Sequence, residues 1–349
     1  MNTLNRRKTM HGHTLIKSVV FGIVALLLSI PAAQSAEENM VIKIATLAPD
    51  GSSWIKTLNT INAEVMEKTK GKVTFKIYPG GVLGDEKDMM RKMQIGQIQC
   101  AAVTSGGLAA LYKEIDVIHI PFFFQNYEEV DYVLKKMSPY FTKGLEGNGY
   151  FLLGWSEAGF NYLMSTLYIS SVSDLKKAKV WIWQESPMAK AIFKEAGVTA
   201  IPLSVPDVLV GLQTGLVDVV YAPPTGAIAL QWFTKVKYLT DVPLSYMGGG
   251  LVVRKDIFKK LPQASQNIIL ESCQRNLNQL KTITRRENQE AIRVMQNNGV
   301  KIVTPPQDTV AEFKRLSAAA LSHFTNQTFA KKAWEDATAN LEAYRKGRR

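Results

Sequence analysis

A chain of 349 residues, 46% hydrophobic and 21% charged, with 24 glycines and 14 prolines spread along it, is neither disordered nor fibrous, and its length suits two compact domains. The formal charge of +12 falls to +8 once Arg6, Arg7, Lys8 and Lys17, all ahead of the first acid Glu37, are set aside. The remaining Lys and Arg are interspersed with acids, which argues for a solvated basic surface and against nucleic-acid binding.

The acid-free opening reads as a signal peptide over residues 1–36. A basic stretch precedes the apolar run Val19–Leu28, which is shorter than the ~20 residues of a spanning helix, and the small residues Pro31–Ala36 follow, with cleavage expected near Ser35 or Ala36. The chain is thus expected to be exported. Beyond it, residues 41–47 read as a strand, 52–70 as a helix with Trp54, Ile55, Leu58, Ile61 and Val65 at helical spacing, and 73–78 as an alternating strand. A helix over 84–98 and a short buried strand over 100–104 complete a sheet covered by helices. The middle repeats the alternation, with strands at 150–155, 179–183 and 217–221 and helices at 186–196 and 206–214. From Leu261 to Gly299 there is no glycine and the one proline, Pro262, suits a first turn, which predicts an unusually long helix running along both domains.

Counting removes several chemistries. His119 and His323 are the only histidines beyond the leader, and no Cys-x-x-Cys occurs, so a zinc site is not expected and no cofactor is called. Cys100 and Cys273 allow either one bridge or two packed thiols. His119, inside the run Ile118–Phe124, reads as a core or pocket-wall histidine rather than a catalytic base. No Gly-x-Ser-x-Gly or Ser-x-x-Lys frame activates a serine, and neither Gly80–Glu86 nor Gly248–Gly250 forms a nucleotide-binding loop.

Five segments in order carry a resemblance: Tyr78–Glu86 (YPGGVLGDE), Ile120–Phe124 (IPFFF), Asp174–Val180 (DLKKAKV), Leu212–Asp218 (LQTGLVD) and Lys260–Pro262 (KLP). Together they resemble the periplasmic solute-binding proteins of TRAP transporters, the DctP family, over nearly the whole mature chain. The resemblance implies a two-domain α/β periplasmic-binding-protein fold, with a ligand cleft at the hinge and a long helix spanning both domains. Domain I is expected to comprise 40–157 and 247–285, and domain II 158–246 and 286–345. It also implies a periplasmic location, no enzymatic activity, and partners in the small and large subunits of a TRAP membrane permease, with an accessory periplasmic protein as a further partner class. The alternatives from other classes are a ligand- or lipid-handling protein, a sensor partner, or a cleft enzyme without metal.

The departures from the family pattern concern the ligand. The resembling carboxylate binders have an Arg where this chain has Trp181, and a second where it has Asn161. Their Asp-Gly-Gln-Glu-Asn stretch is Asp218–Ala222 here, so its Asn is missing. Burying an anion without a bidentate Arg is costly, which points to a neutral, apolar or aromatic ligand. Aromatic walls are expected from Trp155, Trp181, Trp183 and Tyr221, with Asn161 as a polar contact. Glu86 and Ser105 are candidate hydrogen-bonding groups, although Glu86 reads equally as a first-turn helix charge. Trp54 is a further candidate, but it, Phe122 and Trp232 fit core packing better; Tyr246 completes the aromatic set.

Overall fold

The computed structural model describes residues 39–183, 186–324 and 331–347; the expected signal peptide lies outside them. β1 (Met40–Thr46) leads into α1 (Ser53–Lys68), whose cap is Ser52, its hydroxyl accepting from the Ile55 N–H at 3.4 Å. The apolar stripe of α1, Ile55, Leu58, Ile61 and Val65, is buried as its spacing requires. β2 (Val73–Tyr78), α2 (Glu86–Gln94), β3 (Cys100–Thr104), α3 (Ser105–Leu111), a 3₁₀ segment (Lys113–His119) and α4 (Tyr127–Gly147) complete the first half of the chain.

β4 (Tyr150–Ser165) then crosses the molecule, followed by α5 (Val172–Lys176), β5 (Val180–Trp183), α6 (Pro187–Glu195), β6 (Ala200–Leu203), α7 (Val208–Thr214), β7 (Val219–Ala222) and α8 (Pro224–Ala229). β8 (Tyr238–Arg254) crosses back. After it come α9 (Lys255–Phe258), α10 (Gln263–Asn297), β9 (Lys301–Val303), α11 (Gln307–Phe324) and α12 (Lys331–Lys346).

The nine described strands join in one mixed sheet, ordered β2-β1-β3-β8-β4-β7-β5-β6 with β9 on β8. Two parallel flanks, β2-β1-β3 and β7-β5-β6, are therefore stitched by the long antiparallel pair β4 and β8. Three register shifts interrupt that pair, at Leu152/Gly154, Glu157/Gly159 and Asn161/Leu163, and such bulges bend a ladder locally. Gly159 sits in one of them at φ +113°, where a side chain would be strained and a Cβ would meet Asn288 Nδ2 at 2.4 Å.

The expected long helix is α10, 35 residues and about 50 Å. It packs on α1 beside one flank and on α8 beside the other, with β4 beneath it. Its Asn288 Oδ1 accepts from the Thr225 N–H (3.0 Å) and hydroxyl (2.9 Å), while Nδ2 donates to the Ala158 carbonyl (2.8 Å). Cys100 on β3 and Cys273 on α10 are both free thiols in one buried cluster with Ile42, Leu58 and Leu277, so the packed-thiol alternative is the one realised. Burial pushes the Cys273 thiol up to about 12 and the Cys100 thiol well above its ordinary range. Among the described residues no helix is long and apolar enough to cross a membrane.

Candidate functional site

Two cavities open between the flanks, sharing Glu86, Trp183, Tyr221 and Met247 as a common wall. The larger, about 640 Å³, is lined chiefly by apolar side chains, among them Met90, Phe122, Leu163, Phe193, Leu244 and Phe313. Its cationic groups are Lys87, Arg91 and Lys113, and the His119 imidazole also lines it. The smaller, about 160 Å³, is walled by Trp54, Trp181, Trp183, Tyr221 and Trp232, and no Lys, Arg or His lines it.

The aromatic expectation divides on inspection. Trp183 and Tyr221 reach both cavities, and the Tyr221 hydroxyl, pushed up to about 12 by burial, accepts from the Trp183 backbone N–H at 3.3 Å. Trp181 touches the smaller cavity but is only 2% exposed, its ring against Tyr221 (4.9 Å) and Trp232 (5.2 Å) and its indole N–H on the Leu203 carbonyl (3.1 Å). It is as much core as wall. Trp155 lines neither cavity, because its indole turns away to donate to Ser138 Oγ on α4 (2.7 Å) and to pack on Phe141. Trp54 and Phe122, read as core residues, stand on cavity walls instead, whereas Tyr246 is buried and donates to Glu157.

Asn161 lies in the wall of the larger cavity, its Nδ2 donating to Ser245 Oγ at 2.9 Å. Ser105, also expected there, is wholly buried and lines neither cavity. Its Oγ lies 2.5 Å from His119 Nε2, whose Nδ1 is 3.3 Å from Asp116 Oδ1. Sequence spacing hid this serine, imidazole and carboxylate chain because a strand–helix junction and a 3₁₀ turn bring the three together.

Glu86 is the surprise of the site. Its carboxyl accepts from the Thr104 N–H (2.6 Å), the Thr104 hydroxyl (2.8 Å) and the Gly107 N–H, so it caps the start of α3 as well as lining both cavities. Burial outweighs those bonds and raises it from 4.5 to about 7, with the Asp85 charge adding to the rise. An acid raised on folding stabilises most below its unfolded value and loses that contribution as pH climbs through its folded one. Stability is therefore expected to fall by about 3 kcal/mol on this account between pH 4.5 and 7. Denaturant melts of the wild type and Glu86→Gln across that window check it; parallel pH profiles for the two proteins would sink it.

Next to it, Asp85 bridges the flanks. Its Oδ1 accepts from the Glu86 N–H at 2.7 Å, while Oδ2 accepts from the Trp183 indole N–H and the Val205 backbone N–H, both at 2.9 Å. No feature of the sequence pattern singles Asp85 out, since its first visible duty is to cap α2.

A cleft between two three-strand parallel flanks, tied by two crossing strands and one long helix, is the architecture of a two-domain binding protein. Residues 44–328 match the bacterial extracellular solute-binding protein family 7, DctP, and the chain belongs to that family. It is 26% identical over 245 residues to the 2,3-diketo-L-gulonate-binding periplasmic protein YiaO of Escherichia coli K12, covering 70% of this chain and 74% of that protein. The C4-dicarboxylate-binding periplasmic protein DctP of Rhodobacter capsulatus is 24% identical over 321 residues, 86% of this chain and 93% of its own. The crystal structure of the sugar acid binding protein DctPAm from Advenella mimigardefordensis, in complex with galactonate, superposes with a TM-score of 0.82 at 21% identity, covering 88% of this chain and 99% of that one. The expected mixed α/β two-domain fold is thereby established.

Proposed function

We propose that this protein is the exported, periplasmic binding component of a TRAP-type transporter, and that it captures a predominantly apolar, uncharged solute for a permease with small and large subunits. The observation that carries the ligand reading is the 640 Å³ cavity, roomy and largely apolar, with an amide at position 161 in its wall. Binding closes the cleft, with the turning points near residues 157–158, 246–247 and 285–286. The register shift at Glu157/Gly159 and the bonds from Arg285 and Asn288 to Glu157 and Ala158 gather at those crossings and support the assignment. A ligand that touches both flanks favours the closed arrangement because only there does it meet both walls.

Hydrolysis by the Ser105, His119 and Asp116 chain is disfavoured by its surroundings. An acyl-transfer site needs free N–H groups beside its serine to hold an oxyanion. Here Gly106 N–H is taken by Thr104 Oγ1 (3.2 Å) and Gly107 N–H by the Glu86 carboxyl, and the serine is sealed from the cavity. These groups brace the wall instead.

Native mass spectrometry of freshly purified protein, followed by denaturing extraction, tests the function. One neutral, aromatic or lipid-like molecule per chain is expected. A co-purified dicarboxylate or sugar acid would overturn the ligand reading and assign anion binding to Lys87, Arg91 and Lys113 on the larger cavity.

A further inference from the structure

Asn161 and Ser245 are register partners across β4 and β8, and both line the larger cavity. Asn161 is 3% exposed, and although its Nδ2 is used on Ser245 Oγ, its Oδ1 meets no hydrogen-bond donor among the described residues. Buried amide oxygens rarely go unpartnered, and each that does needs an explanation. The Ser245 hydroxyl, accepting from Asn161, retains a proton to give. An acceptor and a donor thus stand side by side in a wall shared with Phe122, Leu163, Leu244 and Met247 as well as with the charged Glu86, Lys87, Arg91 and Lys113.

We infer that this pair is the polar handle of the ligand site, and that it selects a neutral group able to donate to Asn161 Oδ1 and accept from Ser245. An alcohol hydroxyl or a carboxamide has both capacities. An ionised carboxylate has acceptors only and leaves the amide oxygen unmet, whatever it gains from Lys87, Arg91 and Lys113 elsewhere on the same cavity. The inference rests on the apolar-solute reading above and adds the chemistry of the one polar end. Turning the amide over would reverse the requirement, so that an acceptor-only ligand would fit; the experiment separates these cases.

The full mature chain is titrated with decan-1-ol, decyl methyl ether and decanoate, three probes with one apolar body, using tryptophan fluorescence as readout since Trp183 lines the cavity. Decan-1-ol should bind at least about tenfold more tightly than either of the others, the cost of leaving a buried acceptor unmet. In Asn161→Leu the three affinities should converge to within about twofold of one another. If that variant does not fold, Ser245→Ala serves: it removes the donor used by the alcohol and the ether oxygen alike, so it should weaken both several-fold while decan-1-ol keeps its margin over the ether. Ether or decanoate binding as tightly as the alcohol to the wild type overturns the handle while leaving the apolar cavity intact. No binding of any probe overturns the apolar-solute reading itself.

Discussion

Glu157→Ala is expected to cost about 3–5 kcal/mol of folding stability, the penalty for breaking a buried ion pair. The Glu157 side chain is fully buried at a register shift of β4. It accepts from Arg285 Nε (2.6 Å) and Nη2 (3.0 Å) and from the Tyr246 hydroxyl (2.9 Å). Removing the carboxylate strands a phenol in the core and leaves a guanidinium, held at 4.4 Å over the Tyr127 ring, with half its partners. The remaining half is Asp131, bidentate at 2.7 Å to Arg285 but half exposed, so Asp131→Asn should cost no more than about 1 kcal/mol. Urea melts of the two variants decide the matter. Equal losses would mean that the network draws its strength from the surface arm and not from the buried one.

Trp181→Arg should abolish folding or lower Tm by more than about 10 °C, far beyond what a cavity-wall substitution does. Trp181 belongs to a buried cluster with Val208, Leu212, Val220 and Trp232, and its indole N–H already has the Leu203 carbonyl. An arginine there would be buried among apolar side chains, and an uncompensated charge in that setting is not tolerated. Trp181→Phe, which keeps the apolar ring, should remain folded with a loss of only about 1–3 kcal/mol. Thermal melts and carboxylate titrations of both variants test this. A well-folded Trp181→Arg protein that acquires carboxylate affinity would show that position 181 faces the ligand after all.

The alternation of strands and helices was legible because apolar periodicity dictates it, and the long helix because an uninterrupted glycine-free stretch permits little else. Of the crossing strands only the start of β4, residues 150–155, was legible, and β8 was not. β8 contains Pro243 and the run Gly248–Gly250, residue types that disfavour a strand interior, yet Gly249 is there because a Cβ would meet the Val103 carbonyl oxygen at 2.7 Å. Those glycines serve close approach within a sheet, and only the partner strands reveal that. α4 and the two C-terminal helices, α11 and α12, also went unread; α4 carries Pro139 within it.

For the site, residue types were legible and directions were not. Alternation assigns strand faces only while the register is unbroken, and β4 shifts three times within 16 residues. Trp155 accordingly faces α4, while Asn161 lines the cavity. Asp85 and Glu86 both belong to the start of a helix in sequence terms, and only the fold shows one reaching across to β5 and the other lining both cavities.

The Asp85 bridge has a kinetic corollary. Because its bonds to Trp183 and Val205 come from the chain itself, a single carboxylate oxygen joins the two flanks, and parting them at that edge has to break both bonds. For any solute admitted only while both are broken, the apparent Kd exceeds the intrinsic one by the reciprocal of the fraction of molecules open at that edge.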